Sequence, residues 1–159
     1  MDCSVLASNF PGRVYLPGSL GYTNGRSSYF SAFEDEVSPA CFFQPNSTQQ
    51  VAEFVTFVRS SPSTCGMQLA VRSGGHTAWA GSANIEGGIT IDLSNLNAVE
   101  LNSETKIASI GVGAKWGTVY KKLGDQGLAI VGGRDSKPGV GGLVLGGMPN
   151  LLFYYSSKC

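Results

Sequence analysis

A single imidazole serves the whole 159-residue chain: His76, in the stretch VRSGGHTAWAG, directly behind Gly74 and Gly75. Three chemistries are open to it. As a general base it would need a hydroxyl nucleophile and an orienting acid; Ser73, Ser82 and Asp92 are nearby in sequence, but no G-x-S-x-G elbow occurs. As a packing residue it would need only a hydrogen-bond partner in a folded loop. As a neutral nucleophile it could bond covalently to an electrophilic cofactor, which pliable glycines would let approach closely. The glycines carry a chemistry of their own, because consecutive glycines let backbone N–H groups reach phosphate oxygens with no Cβ in the way. A dinucleotide pyrophosphate is therefore a candidate ligand, and tight hairpins are the plain alternative. A second dense stretch, GGRDSKPGVGGLVLGG at 132–147, repeats the pattern. Neither cluster supplies G-x-G-x-x-G between a strand and an evident helix, and G-x-x-x-x-G-K-[ST] is missing, so Rossmann and P-loop readings fail.

The remaining reactive residues narrow the field. Cys3, Cys41, Cys65 and Cys159 lack the paired close spacing of a zinc site, leaving free thiols or a single disulfide. Formal net charge is zero and only 14% of residues are charged, so no basic footprint for nucleic acid or an anionic membrane is present. With 42% hydrophobic residues the chain can bury a core, and no run approaches the roughly 20 apolar residues of a spanning helix. The N-terminus MDCSVLASNFPGR has no basic and apolar leader pattern, which predicts a soluble chain: cytoplasmic as written, secreted if its N-terminus is incomplete.

The elements that must position these loops follow from periodicity. Residues 1–36 read as a turn-rich N-terminal segment with a short helix at most. ACFFQ at 40–44 is aromatic and uncharged, a short buried strand. STQQ then fits a capping box, and Val51, Phe54, Val55 and Val58 mark the inward face of a helix reaching about Ser60. MQLAV at 67–71 is a strand that delivers the chain into RSGGH, and ITIDL at 89–93 is another. KIASIGV at 106–112 alternates as a strand; Trp116, Val119, Tyr120 and Leu123 mark a second helix, closed by Gly124 or Gly127; LAIV at 128–131 is a further strand. Two strand–helix–strand units, each ending in a glycine loop, make an α+β domain whose loops could converge on one ligand.

RSGGHTAWAGSANIEGGITIDLSNLNAV, GVGAKWGTVYKKLGDQGLAIVGGR and GVGGLVLGG together resemble the PCMH-type FAD-binding domain of the vanillyl-alcohol-oxidase superfamily, in particular the berberine-bridge-enzyme-like FAD-linked oxidoreductases of fungal secondary metabolism. The resemblance covers roughly residues 30–147 and implies two small α/β subdomains, the second incomplete. It implies that Arg72, Ser73, Gly74, Gly75 and Thr77 wrap the FAD pyrophosphate, and that His76 attacks an activated flavin methyl and bonds the 8α carbon. Gly132, Gly133, Gly139, Gly141 and Gly142 match the loop along the cofactor. Relatives with two covalent links have a cysteine two residues past the glycine pair; here that residue is Asp135, which implies the single His76 link or a non-covalent flavin. Secreted relatives bridge cysteines that correspond to Cys3 and Cys65, against the alternative of two reduced thiols.

The implied domain plan is an N-terminal segment at 1–36, a partial FAD-binding domain at 37–147 and a divergent tail, MPNLLFYYSSKC, at 148–159, where Met148 replaces an expected third glycine. No residue matches the catalytic base that the family's substrate domain supplies. The implied function is oxidation of a small organic substrate by hydride transfer to FAD, with O2 reoxidising it. The alternatives are an inactive remnant with weak or no FAD binding, and an α+β module for another nucleotide.

Overall fold

The computed structural model describes residues 3–60 and 66–147. In chain order the elements are α1 (Cys3–Asn9), β1 (Val14–Tyr15), α2 (Leu20–Ser27), α3 (Ala32–Asp35), β2 (Cys41–Phe43), α4 (Thr48–Ser60), β3 (Leu69–Arg72), β4 (Ile89–Asp92), β5 (Val99–Leu101), β6 (Ala108–Ile110), α5 (Trp116–Gly124) and α6 (Val140–Leu145). They build a four-stranded sheet in the order β1-β2-β4-β3 and a two-stranded sheet, β5-β6. The α+β architecture of two small layered units holds.

In the larger sheet β2, β4 and β3 run parallel, with β1 antiparallel at the far edge. Every residue of β2 and β4 is buried, as expected for parallel strands covered on both faces. Alternation along β2 divides the interior. Phe43 joins Cys3, Leu6, Phe10, Phe54, Ile89 and Ile91 on the side of α1 and α4, whereas Phe42 packs with Tyr22 and Tyr29 on the side of α2. Phe43 and Phe54 stack with centroids 4.5 Å apart. Helix α4 starts where its cap predicts: Ser47 Oγ accepts the Gln50 N–H at 3.2 Å, and Gln50 Oε1 accepts the N–H of Asn46 at 3.0 Å. Its inward face differs from the expected one. Val55 is exposed, and Phe57 packs against the core together with Phe54 and Val58.

The smaller unit gathers Val99, Ala114, Trp116, Val119, Leu123 and Val140 between the β5-β6 hairpin, α5 and α6. Four expectations need correction. Residues 3–36 are not mainly turns, since three helices and β1 lie there. The strand expected at 106–112 shortens to Ala108–Ile110, because Lys106 sits in a left-handed turn (φ 56°) whose N–H groups at Glu104 and Thr105 bond the Asn102 side chain. Leu128 and Ile130 pack on the second core, but 128–131 is not a strand. The stretch from Val140 is helical, with Gly139 as its N-cap.

The cysteine pairing also differs. Cys3 is bonded to Cys41, with Cα atoms 6.3 Å apart, and not to Cys65, which lies outside the described residues. The reason is packing: α1 lies against β2, where Cys41 is fully buried, so the two sulfurs meet inside the first core. Residues 148–159, expected from the sequence to form a divergent tail, also lie outside the described residues.

A bond closing a separation of 38 residues restricts the unfolded chain by about 4 kcal/mol on the loop-entropy account. Thermal unfolding with and without a reductant should show a Tm drop of roughly 10 °C, given about 2–4 °C per kcal/mol for domains near this size. An unchanged Tm would mean that the Cys3–Cys41 bond is not formed in solution.

Candidate functional site

Parallel strand β3 ends on Arg72 and releases the chain into Ser73–Thr77 at the rim of the sheet. Gly75 adopts φ +62°, a left-handed turn against the Tyr29 ring, and this turn presents His76. The second glycine stretch meets the loop directly. A Cβ on Gly74 would overlap the backbone of Gly139, and a Cβ on Gly139 would overlap Gly74 and the Ser73 hydroxyl. Around this contact Ser73 Oγ donates to the Val112 carbonyl at 2.6 Å, which also accepts the Gly141 N–H at 3.2 Å. The Val140 and Trp116 N–H groups bond the carbonyls of Ala114 and Pro138. Backbone therefore lies against backbone where the two units join.

A cleft of ≈ 710 Å³ opens beside that seam. Its walls include Ser73, Gly74, Gly75, His76 and Thr77 from the first loop, and Gly133, Arg134, Asp135, Gly139, Gly142 and Leu143 from the second. Of the predicted cofactor residues, these loops bring together Ser73, Gly74, Gly75, His76, Thr77, Gly133, Gly139 and Gly142. Arg72, Gly132 and Gly141 stand behind the lining: Gly132 makes room for the Trp116 ring, and Gly141 packs under Val112.

Arg72 serves as an internal clamp. It is 6% exposed, with Nη1 donating to the Gly25 carbonyl at 2.6 Å, Nη2 donating to Ser28 Oγ, and Asp92 Oδ2 at 3.5 Å. Its guanidinium lies 4.3 Å from the centre of the Tyr29 ring, and burial pushes the Tyr29 phenol well above its ordinary pKa. Asp92 is held in turn by Gln44 Nε2 and the Ser94 N–H. Hydrogen bonds on Nη1, Nη2 and both Asp92 oxygens support the buried pair, while Arg72 Nε has no partner among the described residues.

The His76 imidazole is half-buried, stacked at 4.0 Å between centroids on Phe30, and its Nε2 is buried with no hydrogen-bond partner among the described residues. An unpartnered buried polar atom costs about 1–3 kcal/mol; Arg72 Nε and Trp116 Nε1 are in the same state, and of the three residues only His76 lines the cleft. Asp135 stands near enough for the imidazole to act on its carboxyl. The Lys137 N–H donated to Asp135 Oδ1 holds that carboxyl below the usual range, and His76 adds to the effect.

Several contributors escaped the sequence reading. Glu34, fully buried on α3, accepts from the N–H groups of Gly81 and Ala83 and from Ser82 Oγ, while its carbonyl accepts from Asn84. It holds the far side of the loop that carries His76. The S-x-x-E spacing from Ser31 to Glu34 is the one local signal, and it suggests a cap and not a clamp.

Residues 39–152 match the FAD binding domain family. The fold, the glycine seam and this match define a flavoprotein cofactor domain, and the chain belongs to that family. It is 40% identical over 145 residues to the FAD-dependent monooxygenase sdcF of Emericella nidulans, covering 91% of this chain and 30% of that protein. Among solved structures, glucooligosaccharide oxidase from Acremonium strictum, described as having 6-S-cysteinyl, 8α-N1-histidyl FAD, superposes with a TM-score of 0.74 at 25% identity. That match covers 92% of this chain and 30% of the oxidase. The wild-type BBE-like 1 protein of Physcomitrella patens shares the fold, with a TM-score of 0.72 at 22% identity over 88% of this chain and 29% of its own. The chain thus spans less than a third of the length of each of these proteins.

The seam gives a direct check. Gly74→Ala must push two backbones apart, and overpacking of this kind costs about 1–3 kcal/mol. Denaturant unfolding should show that loss for Gly74→Ala and for Gly139→Ala, with the double variant well short of the sum because the gap opened by one alanine admits the other. Full additivity would show that the loops do not touch.

Proposed function

We propose that this chain is the cofactor-binding part of an FAD-linked oxidoreductase that acts on a small organic substrate, and that His76 is the point of covalent flavin attachment. The observation that carries the reading is the His76 imidazole itself, on the wall of the cleft with a buried nitrogen that no described residue satisfies. Bound FAD supplies a two-electron acceptor for hydride from substrate, with O2 as the terminal oxidant. The residues of this chain bind and orient it. Gly74, Gly75 and the glycines of the second loop offer side-chain-free backbone at which a pyrophosphate can lie close. Asp135, where a second covalent link would require a thiol, leaves one attachment point.

The relatives support this assignment. The Emericella protein is named as an FAD-dependent monooxygenase, and the Acremonium oxidase is described with a histidyl flavin. Catalytic base and substrate pocket are assigned to no residue of this chain. The fungal similarity favours a role in secondary metabolism, and the Cys3–Cys41 bond favours an oxidising compartment. Among the described residues no helix is long and apolar enough to cross a membrane.

Acid precipitation after incubation with FAD tests the assignment. Wild-type protein should give a yellow pellet, and His76→Ala should release its colour to the supernatant. Colourless pellets from both would overturn the attachment reading.

A further inference from the structure

The N-terminal segment reaches into the site at one residue that lies outside the glycine loops. Phe30 sits between α2 and α3, and its N–H donates to the Gly75 carbonyl at 3.0 Å, one residue before His76. Its ring lies on the imidazole with 4.0 Å between centroids and 23° between planes. Yet Phe30 is 59% exposed, so the ring is not there to fill a core. A large apolar side chain left in water, anchored through its own backbone and laid flat on the sole histidine, restrains that histidine. Rotation of the imidazole about its side-chain bonds would break the stack. The bond from Phe30 to Gly75 fixes the height of the ring over the loop independently of the side chain.

We propose that Phe30 is a positioning residue for His76. Its ring fixes the imidazole plane, so that one nitrogen stays buried and the ring meets the cofactor in a single orientation. This rests on His76 as the attachment point, but its first consequence is visible without any cofactor. Phe30→Ala removes only the stack and leaves the backbone bond in place. Phe30→Tyr keeps the stack. Phe33→Ala is the control, because Phe33 is 65% exposed on the same segment and makes no ring contact with His76.

Since the chain has one histidine, its imidazole resonances and its reaction with diethyl pyrocarbonate can be read without assignment. In wild type, Phe30→Tyr and Phe33→Ala, the imidazole C–H protons should be ring-current shifted upfield and modification slow. In Phe30→Ala the shift should vanish and the modification rate rise about fivefold, the scale expected for losing one aromatic pair. Identical spectra and rates for Phe30→Ala and wild type would overturn the proposal. With saturating FAD, covalent attachment should be slowed several-fold in Phe30→Ala and restored in Phe30→Tyr. Non-covalent FAD affinity should be equal in His76→Ala and the Phe30→Ala, His76→Ala double variant. Attachment at the wild-type rate in Phe30→Ala would refute the positioning role even if the stack is real. Absence of covalent flavin in wild type would instead refute the attachment reading, while the cofactor-free spectra still decide whether Phe30 holds the imidazole.

Discussion

Two backbones meet at Gly74 and Gly139 with no room for a side-chain carbon between them, and the geometry of the site follows from that contact. It joins the loop after β3 to the loop before α6, where the two units meet through peptide groups and the Ser73 hydroxyl. Side chains at these positions would have opened a gap. The same absence of Cβ atoms leaves bare backbone along the neighbouring cleft, where an anionic group can approach. One constraint thus serves both the union of the units and the seat proposed for the cofactor.

His76 depends on this seam but is held from the other side. The buried Arg72–Asp92 pair fixes the last residue of β3 against α2, and Glu34 secures the loop beyond His76 with three accepted hydrogen bonds. Glu34 and the contacts of Arg72 with Gly25, Ser28 and Tyr29 lie in the stretch whose composition suggests turns and at most a short helix. That segment braces the first loop from behind the cleft, with Tyr22 and Tyr29 packed on Phe42.

What could be read from the sequence was what local physics determines. The capping signal at Ser47, the uncharged aromatic run at β2 and the helical spacing from Trp116 specify elements within a few residues, and RSGGH marks a loop by its glycines alone. The cysteine partner was not legible, because which buried strand α1 would cover is a tertiary question. Helix α6 was hidden by its glycines, whose weak helix propensity is overridden by the burial of Val140 and its bond to Ala114. Strand β5 is only three residues with a glutamate at its centre, too short for period-two alternation to register. Phe30 and Glu34 contact residues more than forty positions away, and no local pattern encodes that distance.

The central claim is that the cleft beside the Gly74–Gly139 seam holds FAD and that His76 is bonded to it. Peptide mapping of the denatured, FAD-treated protein tests this most directly, since trypsin releases His76 in the single peptide that begins at Ser73 and ends at Lys106. The account predicts flavin mass on that peptide, localised by fragmentation to His76. Flavin attached to any other residue, or an unmodified Ser73–Lys106 peptide from yellow, acid-stable protein, would contradict it.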